Sequence, residues 1–250
     1  LPRAAHTSLE RGNGFRSDQL AAETIWVTAA KAGIPAVAHQ PTHGFPFTPM
    51  NSAPGAVVVN GYQTRLLAPH ALWTEAGGEK QHDGSLVFRH GPAAFRVERR
   101  KHGLRITEQG SGASVTVRAA PLEAEPPRRR ALARRFSDGL YLAGPEPAVL
   151  YFRLFSLRPG GFRLYVTPWH ELGMSVPAPE IFRQAGGFIG NGPHALLTSG
   201  KISEQEYLEA MELVVRQLTR HAAWLDLRFH PRFLQSYLPF PDEIDHEWLP

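Results

Sequence analysis

The sequence predicts an α/β fold whose core is interrupted by a β-rich inserted subdomain. Three observations carry that expectation. Residues 21–39 read as an amphipathic helix, a glycine stop and a short strand, which is the local grammar of an α/β layer. A longer helix leading into a strand recurs over residues 203–238. From Ala56 to Val176 the apolar runs become short and are separated by turn signals. The expected division is a core formed by 1–55 and 177–250, with 56–176 inserted between its halves.

At 250 residues the chain can hold one large domain, or one domain with an inserted subdomain. Its 42% hydrophobic and 20% charged content is that of an ordinary globular protein and excludes a disordered one. There are 27 Lys and Arg against 23 Asp and Glu, a net charge of +4. The basic residues gather only in local clusters, so no nucleic-acid surface is argued. Cysteine is absent, which removes disulfides, thiolate ligands and cysteine nucleophiles. Any metal must be held by Asp, Glu, His or hydroxyl groups, a donor set suited to zinc, manganese, magnesium or calcium. No apolar run approaches the roughly 20 residues that span a bilayer, so no transmembrane segment is expected. No signal peptide is visible, and the composition carries no signal of compartment or oligomeric state. Leu1-Pro2 and Trp248-Leu249-Pro250 both read as cut ends, the expectation for a fragment or processed form.

In order, residues 1–20 are polar and turn-rich, with Gly12-Asn13-Gly14 as a loop signal and His6 beside two hydroxyls, Thr7 and Ser8. Over 21–33, Ile25, Trp26, Ala29 and Ala30 follow helical spacing and Gly33 supplies the stop. Ile34 to His39 is a short strand. The loop from Gln40 to Pro54 contains four prolines and His43, by default a solvated histidine, though its place after a strand makes it a candidate substrate contact.

Within 56–176 the expected strands are 56–59, 85–88, 94–97, 104–107, 114–117, 149–155 and 161–166. Asp83-Gly84 favours a hairpin, as does Arg158-Pro-Gly-Gly161 between the last two runs. Alternation such as Phe95-Arg-Val-Glu predicts sheets with one wet face. Arg128-Arg129-Arg130 with Arg134-Arg135 is the strongest charge cluster, a solvated face by default and a phosphate contact otherwise.

Residues 186–202 read as a glycine-rich loop, without the lysine and hydroxyl or the strand-to-helix setting of a nucleotide cradle. Ser203-Glu-Gln-Glu206 is a capping box. Tyr207, Leu208, Met211, Val214, Val215, Leu218, Ala222 and Leu225 then form an apolar stripe that reads as core. Phe233 to Leu238 reads as a buried strand stopped by Pro239 and Pro241, which cannot donate to a ladder.

Beyond that strand stand Asp242 and His246, four residues apart. Spacing alone leaves a surface pair as the default. Their position just past a strand end, where open α/β sheets place ligands, makes them candidate metal ligands. Glu243 and Asp245 rank lower, because ligation from so tight a turn is sterically awkward.

Tyr237-Leu-Pro-Phe-Pro-Asp242-Glu-Ile-Asp-His246 resembles the Tyr…Pro-Asp-x-x-x-His motif of the type I phosphodiesterase/nucleotide pyrophosphatase family, in the alkaline phosphatase superfamily. Glu23 to Gly33 is similar to that family's Trp-containing helix before a strand, and His6-Thr7-Ser8-Leu9 to the tail of its nucleophile motif. The resemblance implies an alkaline-phosphatase-like sheet with flanking helices, and a phosphate-ester small molecule as substrate. It implies two metal ions, commonly zinc, flanking a Thr or Ser nucleophile that forms a phospho-enzyme, with Asp242 and His246 in one of the two sites. The other ligands would lie outside the chain. The family places the nucleophile four residues before the position of His6, where this chain has Pro2, so no nucleophile is identified in it. The expected function is metal-dependent hydrolysis of a phosphate ester or diester. A non-catalytic binding relative of the same fold, or a sulfatase or phosphotransferase relative, is the alternative.

Overall fold

A computed structural model of the chain describes residues 16–60, 64–119, 136–176, 178, 180–238 and 240. In chain order its elements begin with α1 (Ile25–Lys31), β1 (Ala36–His39), β2 (Ala56–Asn60), β3 (Leu66–Ala68), β4 (Ala71–Thr74) and β5 (Glu79–Lys80). They continue with β6 (Leu86–His90), β7 (Ala93–Arg100), β8 (Gly103–Glu108), β9 (Ser114–Arg118), β10 (Leu140–Leu142), β11 (Ala148–Leu150) and β12 (Phe152–Arg158). The last are β13 (Gly161–Val166), β14 (Trp169–His170), β15 (Gly173–Met174), α2 (Glu180–Gln184), α3 (His194–Thr198), α4 (Glu204–Phe229) and β16 (Phe233–Ser236). The protein is mixed α/β, with several sheets and few helices. Its described residues fall into two units.

The first unit draws on the described residues of Leu1–Thr64, Leu172–Ala178 and Leu225–Leu238. Its sheet runs β15-β2-β1-β16, with β16, β1 and β2 mutually parallel and β15 antiparallel on the edge. β1 and β2 are buried throughout, as expected of a parallel sheet covered on its faces. α1 covers one face, setting Trp26 and Val27 against Ala36, Ala38, Ala56 and Val58. The helix is shorter than residues 21–33. Thr24 caps it in an extended conformation, and Ile25, expected in the buried stripe, is 62% exposed. Its end follows the sequence closely: Gly33 sits at φ +76°, its amide donates to the Ala30 carbonyl, and the Ile34 amide donates to Ala29. That double closure satisfies carbonyls the last turn leaves open, and it suits glycine because no Cβ opposes a positive φ.

The second unit is built chiefly from Arg65–Glu171 and Pro179–Trp224. A five-stranded antiparallel meander, β5 to β9, and a three-stranded sheet, β12-β13-β4, share one core. Trp73 of β4 stacks on Phe88 of β6 with ring centroids 4.7 Å apart, and Phe95 and Phe152 pack around the same indole. Alternation holds in β7, where Phe95 and Val97 are buried and Arg96 and Glu98 face partly outward. The Arg158–Gly161 hairpin closes with Gly160 at φ +83°.

Further expectations need correction here, the first being the buried strand 233–238: β16 ends at Ser236 and is half exposed, with Leu234 at 39%, because it is the edge strand of its sheet. The run 149–155 is two strands, because β11 pairs with β10 and β12 with β13. Tyr151 lies between them, its amide bonded to the Thr167 hydroxyl and its carbonyl to the Thr167 amide. The stretch 186–202 is not all loop. α3 lies within it, buries Leu196, and is only five residues long, too short to leave a periodic signal.

Candidate functional site

β1, β2 and β16 run parallel, so their carboxyl ends, His39, Asn60 and Ser236, lie along one edge of the first unit's sheet. Open α/β sheets receive ligands outside that edge. A cleft of about 510 Å³ opens at the other edge, lined by Pro35, Ala36, Gly55, Ala56 and their neighbours. Among the described residues no titratable side chain lines it.

The carboxyl edge is cross-tied. His39 is fully buried, and its Nδ1 lies 2.8 Å from Ser236 Oγ, joining residues 197 apart in sequence. The Tyr237 amide donates to the His39 carbonyl, which extends the β1–β16 pairing past the strand end. Gln40 leaves β1 at φ +59° while its amide donates to Val59, and Asn60 Nδ2 donates to the Pro41 carbonyl at 2.8 Å.

The loop beyond β1 is fixed from within. Asn51 is fully buried, accepts the Thr48 amide at 2.7 Å, and donates to the carbonyls of His43 and Pro46 at 2.9 and 3.1 Å. Trp26 Nε1 donates to the Asn51 carbonyl, so α1 and the loop share one polar anchor. A Cβ on Gly44 would meet Asn60 Nδ2 at 2.7 Å and Pro41 at 2.9 Å, which leaves room only for glycine. His43, the candidate substrate contact, is half-buried and holds φ +59°. For a non-glycine residue that conformation is uncommon and is maintained by its surroundings, here by Asn51.

The sequence-predicted ligands Asp242 and His246 lie outside the described residues, as do Glu243 and Asp245, Pro2, His6, Thr7 and Ser8, and the arginines of 128–135. The described chain reaches this region through β16, and Asp242 stands six positions beyond Ser236 in the sequence. Among the described residues no group of three or more His, Asp and Glu gathers as a metal would require. No helix among them is long and apolar enough to cross a membrane. The glycines of 186–192 serve close packing: a Cβ on Gly190 would meet His170 Nε2 at 2.9 Å, and one on Gly186 would meet Gln217 Oε1 at 2.5 Å.

Sequence reasoning did not find the His39–Ser236 bond or the role of Asn51. Gly33, a helix stop by sequence, was legible because its signal is local. Asn51 sits in a proline-rich loop, where asparagine is ordinary turn chemistry, and only its burial separates the two cases. Comparison of the chain with family models, curated proteins and solved structures returned no match.

Proposed function

We propose that the protein is a metal-dependent hydrolase of phosphate esters or diesters, of the phosphodiesterase/nucleotide pyrophosphatase type, with an alkaline-phosphatase-like core. One observation supports this reading: the Pro241-Asp242-x-x-x-His246 sequence begins five residues after the end of β16, a strand parallel to β1 and β2 whose carboxyl end lies on the edge where open α/β sheets receive ligands. Asp242 and His246 would hold one divalent metal of a two-metal centre, with zinc the first choice. A carboxylate oxygen and an imidazole nitrogen are donors zinc accepts, and two of them fill half of a tetrahedral shell. A metal held there would supply Lewis acidity, polarising a phosphoryl oxygen and acidifying a bound water or hydroxyl.

The chain's own part is orientation. The His39–Ser236 and Tyr237–His39 bonds tie the end of β16 to β1, which fixes where the ligand-bearing segment departs. Pro239 and Pro241 restrict φ on both sides of Phe240, which reduces the conformational freedom to be lost when ligands engage.

In the full-length protein, His246→Ala is expected to lose zinc and to lose diester hydrolysis together, measured by metal analysis of the purified variant and by turnover of an aryl phosphodiester. Normal zinc content with normal turnover would sink the assignment. Pro2, at the position where the resembling family carries its nucleophile, supports a second reading, a non-catalytic binding relative. Screening wild type against aryl phosphate, diester and sulfate substrates separates the cases. Bound zinc without turnover of any of them supports the binding relative, and sulfate turnover supports a sulfatase.

A further inference from the structure

A cleft of about 580 Å³ in the second unit has a polar wall that the metal-turn reading does not use. That volume lies in the range of small-molecule sites. Arg216, Gln217 and Arg220 of α4 line it, together with Arg183 of α2. Among the described residues that line it, Asp138 is the one carboxylate against three guanidinium groups. Tyr141, Val149 and Phe182 supply apolar surface, with the Arg183 guanidinium 5.1 Å from the centre of the Tyr141 ring.

The unpaired groups on this wall share one polarity. Gln217 is 1% exposed, and its Oε1 accepts the Tyr151 hydroxyl at 3.0 Å. Tyr151 Oη in turn accepts the Gly187 amide at 3.2 Å, which directs its own proton to Gln217. This leaves Gln217 Nε2 buried and without a partner among the described residues, and Arg216 Nε is in the same condition. Both are donors. Buried donors without acceptors carry a desolvation cost that a bound acceptor removes. Arg216 and Arg220 also stand four apart on one helix, where like charges repel. Burial, with the nearby Arg220 charge adding to it, holds the Arg216 guanidinium below its ordinary pKa although Tyr151 and the Glu212 carboxylate act the other way.

We infer that this cleft is an oxyanion-binding site that takes a small organic molecule carrying a phosphate or carboxylate group, the anion against Arg216, Gln217 Nε2 and Arg220 and the body against Tyr141 and Phe182. Guanidinium and amide donors suit planar or tetrahedral oxyanions through charge-assisted hydrogen bonds. The inference does not rest on the reading of Asp242 and His246, and the test keeps the two apart by removing metal.

Calorimetric titration of the metal-stripped, dialysed full chain with inorganic phosphate and, separately, with citrate is expected to give saturable heat for at least one. Phosphate alone indicates a phosphorylated ligand, and citrate alone a carboxylated one. Arg216→Gln is expected to weaken that binding roughly tenfold or more, the loss of one charge-assisted bond. Arg220→Gln replaces an exposed side chain, so its thermal melt should match wild type while its affinity falls. Absence of saturable binding of both anions, or unchanged affinity in both variants, overturns the inference.

Discussion

Asn51 holds more of the first unit's loop than any charged residue there. One side chain closes three hydrogen bonds and thereby keeps His43 at a positive φ and the Gln40–Pro54 loop against α1. Asn51→Ala leaves the Thr48 amide and two carbonyls searching for partners in a buried place. The expected loss is about 2–4 kcal/mol of unfolding free energy, since each unsatisfied buried group costs about 1–3 kcal/mol and some regain water. Urea unfolding of the variant measures it, and a loss below about 1 kcal/mol would show that the loop is held otherwise. At this scale the sequence was legible where chemistry is local. Gly33 stops α1 and Asp83-Gly84 turns a hairpin, with Gly84 at φ +80°, because backbone preference alone decides both. It was illegible where a pairing spans the chain, as with His39 and Ser236, whose meeting depends on β1 lying beside β16.

α4 illustrates the same division among elements. Its start was readable. The Ser203 amide donates to Glu206 Oε2 at 2.8 Å while the Glu206 amide donates to Ser203 Oγ at 3.3 Å, the reciprocal pair that the Ser-x-x-Glu spacing predicts. The buried stripe was readable at Tyr207, Met211, Val214, Leu218 and Leu225, but Leu208 is 41% exposed. A polar line of Glu206, Glu209, Gln217 and His221 is buried instead. Periodicity counts such residues as a solvated face, because it sees no partners. The partners are distant in sequence: Glu209 receives Arg153 Nε at 2.9 Å with both side chains essentially inaccessible, and Glu206 takes Arg163 at 2.6 and 3.0 Å. The cap therefore has two jobs. Ser203→Ala should cost about 1 kcal/mol, the usual value of an N-cap hydroxyl. Glu206→Ala should cost clearly more, because it also strips Arg163 of its carboxylate. Chemical denaturation of the two variants side by side tests this, and equal losses would mean that the Arg163 pair contributes nothing.

For the chain as a whole, composition gave the net charge of +4 with histidine neutral, but not where the histidines lie. Four of the twelve lie in the second unit, His90, His170 and His221 buried and His70 half-buried, with pKa values pushed down by desolvation, His70 to about 3 and the other three to about 4. Their contacts suit the neutral ring. His70 Nε2 donates to the Asn191 carbonyl at 2.9 Å, so Nδ1 is left to accept the Tyr165 hydroxyl at 2.7 Å. His90 and His221 each bond a carbonyl, of Thr167 and of Gly186, at 2.9 Å. Neither ring nitrogen of buried His170 has a hydrogen-bond partner among the described residues. In the unfolded chain an imidazole titrates near 6.5, so between about pH 6.5 and 4 the unfolded state binds more protons than the folded one. Stability is then complete above that window and declines as pH falls through it, in contrast to carboxylate-driven loss at lower pH. At pH 5 each of the four removes up to about 2 kcal/mol. Thermal melts between pH 7.5 and 5.0 should therefore show the midpoint falling by several degrees or more, with the steepest change below pH 6.5. His90→Gln, which can keep the bond to Thr167 but cannot titrate, should flatten that dependence by about one proton, whereas a wild-type midpoint unchanged to pH 5.0 would mean that the four imidazoles bind protons as readily folded as unfolded.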